Sequence, residues 1–534
     1  MDKIYGVLRG LWNKLRELLG WNVSKESDRN KSIKNFVLTL FMAFAGKTCK
    51  VSVILPKNFN LEEHKGIYPP CSYGFESVAF KDYKALYILH LLSVIPSRNS
   101  DLITEDGFIP IHTPTLQNHM RDYKLYMDYL VNTGVLVCDE QYTPGEKSKG
   151  YKWASQYDDA GLTGAICNIC DYKEDRSAIS PKDLNNYPYL FYWYSQNKLN
   201  IDPRAQTYAD AVFTSKMHDS THASWDWNKD KSQYKHPLTQ YLAVMRNITR
   251  IENHKYDPHL DNNIHRLHSV LTNIQKDFRN FITYDGQELV CVDIKNCQPY
   301  LFCLILNPDF WKCDSDLPLS LYKLPENIQL LFVSSLLQKN IQNFFAKLTS
   351  TDTAEYTKLV SSGNIYEEIM KIANEQISDD GRQIERIERK DAKVLMFYLL
   401  FSSNRGQHND PKIRQIKSIF TARYPKIIEL FQIIKREYSD CPMDNPHSRL
   451  SCLLQAIESS IILHKCCKRI WDEKNHSVPI FTIHDSIVST QEYSSYIQQV
   501  MREELESYIG IQPPLSEEKW SIATLNQENR AVNS

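Results

Sequence analysis

Two aspartates, Asp293 and Asp485, each stand at the end of a short apolar strand pattern. Glu288-Leu-Val-Cys-Val-Asp293 delivers the first. Ile480-Phe-Thr-Ile-His484-Asp485-Ser486-Ile-Val488 carries the second in a hairpin-like run with His484 and Asp485 at its centre. Two carboxylates fixed on rigid neighbouring strands can hold two divalent ions about 3.5 to 4 Å apart, a spacing that clamps attacking and leaving oxygens in phosphoryl transfer. By spacing alone, each aspartate reads better as a cap or turn acceptor, and a His-Asp pair occurs by chance in any long chain. A third pattern supplies complementary groups. Arg389, Lys393, Phe397 and Phe401 recur every four residues, along one slowly drifting helical face. Cations at the start of such a face can hold triphosphate oxygens, and aromatics further along can stack on a base and sugar. The run also fits an ordinary helix with a charged beginning and a buried end.

The internal spacing and order of five segments carry a more specific signal. Arg389-x3-Lys393-x3-Phe397-x3-Phe401 resembles the fingers helix of family A DNA polymerases, Arg-x3-Lys-x3-Phe-x3-Tyr, and less closely that of the single-subunit phage and mitochondrial RNA polymerases. Asp293-Ile-Lys-Asn-Cys-Gln298-Pro-Tyr300 resembles the first palm motif of that family, Asp-Tyr-Ser-Gln-Ile-Glu-Leu-Arg. His484-Asp485-Ser486 resembles the second, His-Asp-Glu, with the serine of the RNA polymerase branch. Upstream, Arg266-Leu-His-Ser-Val-Leu-Thr-Asn273-Ile-Gln275 is similar to Arg-Leu-Ser-Ser-Thr-Asp-Pro-Asn-Leu-Gln, followed by Phe278-Arg279-Asn-Phe-Ile282. Ser361-Ser-Gly-Asn-Ile365-Tyr366 stands where the family has Gly-x-Asp-Ile-His. The resemblance spans residues 260 to 495, somewhat under half of the chain.

Carried over residue by residue, the resemblance implies that Asp293 and Asp485 hold two Mg2+ (or Mn2+) ions, with the carbonyl of Ile294 as a third oxygen ligand. Lys393 and Arg389 would neutralise an incoming nucleoside triphosphate. Phe397 and Phe401 would bound the nascent base pair, and Gln298 would face the sugar. Arg266, Asn273, Gln275, Gln455 and His484 would contact primer or template. The expected activity is DNA polymerase-like nucleotidyl transfer of dNTPs to a primer 3′-hydroxyl. Departures from the family are Phe401 for Tyr, Ser402 for Gly, Tyr300 for Arg, Ser486 for Glu and Ser451 for Asn. Ser486 keeps open an RNA-synthesising or primase-like enzyme. A third alternative is a non-catalytic nucleic-acid-binding or replication-initiation protein on a polymerase fold.

The elements that must position these residues divide the chain on pattern. Residues 1–70 read as an amphipathic helix over 4–19 and a polar connector. Such a basic amphipathic helix packs on its own protein, or docks on a partner or a membrane. Residues 71–155 read as helix, helix and short hairpin, with Gly134 ending the second helix, an order that resembles a winged helix-turn-helix able to meet nucleic acid or protein. Residues 156–235 are an aromatic-rich connector or thumb-like region, 236–515 the palm and fingers, and 516–534 a C-terminal tail. The expected fold is therefore α/β in the broad sense (α+β): a right-hand palm and fingers core with a mainly helical N-terminal half.

Composition narrows the setting. A net charge of −1 gives no global basic field, so any grip on nucleic acid must be local. No apolar run approaches the roughly 18 to 20 residues of a membrane span. Thirteen irregularly spaced cysteines suit a reducing, cytoplasmic setting without disulfides. Cys167-Asn-Ile-Cys170 has the spacing of half a zinc site, but no clean second pair follows.

Overall fold

The computed structural model describes residues 48–525, except 100–101, 105, 144–147, 171–178, 229–232, 380–385 and 406–407. The amphipathic stretch 4–19 lies outside the described residues. Cys167 and Cys170 fall in the strand Leu162–Cys170, with their side chains outside the described set. Every cysteine whose side chain is described is free. No helix among the described residues is long and apolar enough to cross a membrane.

The fold is a mixture of helix and sheet in two compact units. The first takes in the described parts of 1–92, 110–159 and 165–174. Within it, the helices Thr113–His119 and Tyr123–Asn132 precede an antiparallel pair of strands, Leu136–Cys138 and Gly150–Trp153, with Leu136 opposite Trp153. Gly134, at φ 71°, supplies the left-handed turn between helix and hairpin. The tip at 144–147 lies outside the described residues.

The second unit comprises the described parts of 93–109, 160–164 and 175–534. It is built on a six-stranded sheet. In chain order the strands are β1 (Leu199–Ile201), β2 (Ile282–Tyr284), β3 (Gln287–Ile294), β4 (Phe481–Ile483), β5 (Ser486–Thr490) and β6 (Leu515–Trp520). Their order in space is β4-β5-β3-β2-β1, with β6 also paired to β3. All these pairings are antiparallel.

The local chemistry explains the frame. Asp285-Gly286 joins β2 to β3, with both residues at positive φ (51° and 78°), the two-residue turn that matches the twist of a hairpin. In β3, Leu289-Val-Cys-Val292 is buried throughout, as expected of a central strand covered on both faces. Leu289 to Asp293 face Thr490 to Ser486 on β5, and Leu289 to Ile294 face Trp520 to Leu515 on β6.

Four helices matter for the site: α1 (Cys297–Ile305), α2 (Arg389–Phe401), α3 (Pro425–Lys435) and α4 (Ser448–Ile461). The helix α1 begins behind Asn296, whose left-handed conformation (φ 45°) turns the chain out of β3. Gln298 is the one residue of α1 that is not buried. The helix α2 buries Ala392, Leu395, Met396, Leu399 and Leu400, and leaves Arg389, Lys393 and Phe397 exposed. Its C-terminal carbonyls are not left to water. Lys435 at the end of α3 donates from Nζ to the carbonyls of Leu399 (2.5 Å) and Ser402 (2.9 Å). Burial lowers the pKa of that ammonium to about 8.

Three sequence boundaries need correction. Leu515–Trp520 is a sheet strand, so the tail expected from 516 begins inside β6; its Ser-Glu-Glu-Lys run hid the strand because β6 alternates between half-buried and exposed positions. Leu199–Ile201, read as connector, pairs with β2 in the same sheet. Its burial alternates over only three residues, too short for a periodic signal. Residues 93–109, expected in the first module, belong to the second unit, where Gly107 approaches His236.

Candidate active site

The β4–β5 hairpin has Ile483 opposite Ser486, so His484 and Asp485 form its two-residue loop. His484 takes φ 54°, a left-handed conformation at the first loop position. Asp293 is the cross-strand partner of Ser486. The two aspartates therefore emerge side by side at one end of the sheet. Both line an open cleft of about 510 Å³, together with Ile294, Gln298, Arg389, Lys393 and Phe397. Gly363, at φ 76°, closes part of the wall; a Cβ there would come within 3.2 Å of Lys295 Cδ.

The electrostatics are those of two like charges brought together out of water. Burial pushes the Asp293 carboxyl up to about 7, with the neighbouring Asp485 and Glu518 adding to the rise and Lys393 opposing it. Asp485 is also raised, chiefly by burial; its own backbone amide, the Cys297 thiol, Arg266 and Lys393 act against the rise. Lys393 thus acts on both carboxylates from the facing helix. Its Nζ lies 5.9 Å from the centre of the Phe397 ring.

The remaining sequence-derived residues fall into distinct positions. Arg389 lines the cleft, donating from Nε to Glu367 at 2.5 Å and lying 5.3 Å from the Tyr366 ring. Phe401 is not a lining residue; it stacks behind Phe397 at 5.6 Å. His484 is half-buried beside His268 (6.3 Å between rings), and burial, reinforced by Arg266, lowers its pKa to about 4. Arg266 donates to both oxygens of Glu458, at 2.6 and 2.7 Å. Asn273 is exposed and donates to the carbonyl of Ser269, whereas Gln275 lines a separate cleft of about 320 Å³ with Tyr208, Phe213 and Tyr241. Gln455 lies on α4, half-buried and outside the lining of the main cleft.

Sequence reasoning missed three acidic residues. Glu458, three residues after Gln455, is buried and accepts from Arg266 and from Gln298 Nε2 at 2.6 Å. Its signal was a lone acid in the apolar run from Leu453 to Ile462. Glu367 was one residue beyond a quoted motif. Glu518 lies across from Cys291 on β6, on the same face of β3 as Asp293, and was hidden by the misread tail.

No protein-family profile and no curated protein matches the chain. Among solved structures, the chain is similar to the polymerase domain of Pol1 from M. smegmatis in complex with DNA primer-template and dNTP. The identity is 12%, over 62% of this chain and 66% of that one, just under two thirds, with a TM-score of 0.25. The functional reading accordingly rests on the geometry of the cleft.

Among the described residues, no group of three or more His, Cys, Asp or Glu side chains forms a ready-made metal cage. Asp293 and Asp485, which line the same cleft, are hard oxygen donors that could hold a divalent ion there.

Proposed function

We propose that this protein is a nucleotidyltransferase that extends a primer 3′-hydroxyl with nucleoside triphosphates on a nucleic-acid template, as DNA polymerases of family A do. One observation carries the reading: two adjacent half-buried carboxylates face a helix that exposes a cation, a second cation and an aromatic ring into the same cleft. The donor set fits two Mg2+ or Mn2+ ions held by Asp293, Asp485 and the Ile294 carbonyl; such ions supply Lewis-acid polarisation of phosphoryl oxygen. The chain's own groups do the rest. Lys393 and Arg389 hold and orient the triphosphate, and Phe397, braced by Phe401, offers a face to the base. The primer oxygen forms a bond to the α-phosphorus, and the bond to the pyrophosphate leaving group breaks.

In this reading the fold is a right hand: the sheet is the palm, and the helices carrying α2 are the fingers. The helix–helix–hairpin of the first unit is a winged-helix-like module for nucleic acid or a protein partner. Among the sugar alternatives, Gln298 favours dNTPs by bulk. The serine that resembles the RNA polymerase branch lends no weight to RNA synthesis, because Ser486 Oγ donates to the Ile483 carbonyl at 2.8 Å and closes its own hairpin.

The test is primer extension by the purified protein on DNA and RNA templates, with dNTPs or NTPs in Mg2+ or Mn2+, beside a control lacking template. Templated extension is expected. Binding of primer-template without any incorporation would replace this reading with a non-catalytic nucleic-acid binder.

A further inference from the structure

Glu458 occupies a position that calls for an account. Its side chain is 2% exposed. An isolated carboxylate there would be strongly unfavourable, and Arg266, touching both oxygens, compensates the charge. Neutralisation needs nothing more. Yet Oε2 also accepts from Gln298 Nε2 at 2.6 Å, and Cys297 Sγ lies 4.0 Å from the same oxygen. One buried carboxylate thus ties the strand-turn segment bearing Arg266 to the start of α1 through the single unburied residue of that helix.

The partner chemistry fixes the orientation of Gln298. Burial raises the Glu458 pKa, but Arg266, donating to both oxygens, opposes the rise and favours the ionised form, to which the amide presents its NH2 group. The Gln298 carbonyl oxygen is then directed away from Glu458, and it has no hydrogen-bond partner. A glutamine side chain has three rotatable bonds and, unheld, can swing aside when a ligand presses on it. Tethered at its tip by a charge-assisted bond, it behaves as a wall.

We infer that Glu458 is a specificity-determining positioning residue, which locks Gln298 against the sugar of the incoming nucleotide so that a 2′-hydroxyl is rejected. The inference rests on the nucleotidyl-transfer reading of the cleft. It differs from a purely structural role in one measurable respect. Damage to the fold slows dNTP and NTP incorporation alike, whereas loosening Gln298 changes the ratio between them.

The experiment measures kcat and KM for single dNTP and NTP additions by four proteins: wild type, Gln298→Ala, Glu458→Gln and the double variant Arg266→Met with Glu458→Leu. The double variant removes both buried charges together, so no lone charge is left in the core. Wild type is expected to prefer dNTPs. In the double variant the preference should fall roughly tenfold or more, the worth of a charge-assisted hydrogen bond, towards that of Gln298→Ala. The isosteric Glu458→Gln keeps one carbonyl acceptor for two donors and should fall between the two. An unchanged ratio in either folded Glu458 variant overturns the inference, whatever happens to the absolute rates. A rise in dNTP preference would also overturn it, since the locked Gln298 carbonyl would then be accepting a 2′-hydroxyl. If wild type incorporates neither sugar, the nucleotidyl-transfer reading fails, an outcome distinct from both.

Discussion

Asp293 lies directly across the sheet from Ser486, which puts the Asp485 carboxylate, one residue earlier in the hairpin loop, beside that of Asp293. Both carboxylates are half-buried with raised pKa values, chiefly from lost hydration, and Asp485 adds to the rise at Asp293, so together they disfavour the folded state. Asp293→Asn and Asp485→Asn should each lower nucleotide incorporation by roughly a thousandfold or more, on the scale of losing a key electrostatic group. Neither should lower the melting temperature, because each removes one of two repelling charges. Extension at the wild-type rate would sink the assignment. A lowered melting temperature would make the aspartates structural.

Lys393 is exposed on α2 and acts electrostatically on both aspartates. Lys393→Ala should reduce kcat/KM for the nucleotide by roughly a hundred- to a thousandfold, while primer-template affinity changes by no more than about twofold. Arg389 begins from a different state, since Glu367 already holds its guanidinium at 2.5 Å. Arg389→Ala should therefore have the smaller effect of the two. Equal losses of nucleic-acid binding and nucleotide use in Lys393→Ala would make that lysine a backbone contact.

The parts of this site legible in the sequence are those with strong local patterns. The apolar strands before Asp293 and around Asp485, and the four-residue repeat on α2, all appear as read. What stayed hidden depends on tertiary pairing. Glu458 looks like an ordinary helical acid until Arg266, 192 positions away, and Gln298, 160 away, close on it. Strand β6 is half polar because only its pairing to β3, not an apolar face, makes it a strand. Lys435 reads as a surface charge at a helix end; its burial beneath α2 follows from how α3 packs on that helix.

The strand β6 gives a direct test of the corrected C-terminal boundary. Trp520 is 1% exposed at its end, with the Arg279 guanidinium 5.9 Å from its ring, and it pairs with Leu289 at the start of the central buried run. Trp520→Ala should destabilise the second unit by about 3 to 5 kcal/mol, the usual consequence of removing a large buried aromatic side chain. Deletion from residue 516 onward should abolish cooperative unfolding by circular dichroism. A truncated protein that melts like the full chain would mean that β6 contributes nothing to the sheet.

His464 sets an acid limit on stability. Its ring is packed against Tyr187 and Tyr189, with the Tyr189 hydroxyl 2.9 Å from Nδ1. Burial, followed by the nearby His265 and Lys465 charges, depresses its pKa to about 4, below the ordinary histidine value of 6.5. Between those two values the unfolded chain binds a proton that the folded one refuses. Stability must therefore fall as the pH drops from 6.5 towards 4 and level off below. The contribution is at most roughly 3 kcal/mol. His484 carries a shift in the same direction, so a variant without His464 will still retain some acid sensitivity from that residue. His464→Gln keeps a hydrogen-bonding group near Tyr189 but cannot titrate. Denaturant unfolding at about pH 7 and about pH 4.5 should show a markedly smaller loss of stability in the variant than in wild type. Equal losses in the two proteins would show that His464 is protonated as readily in the fold as outside it.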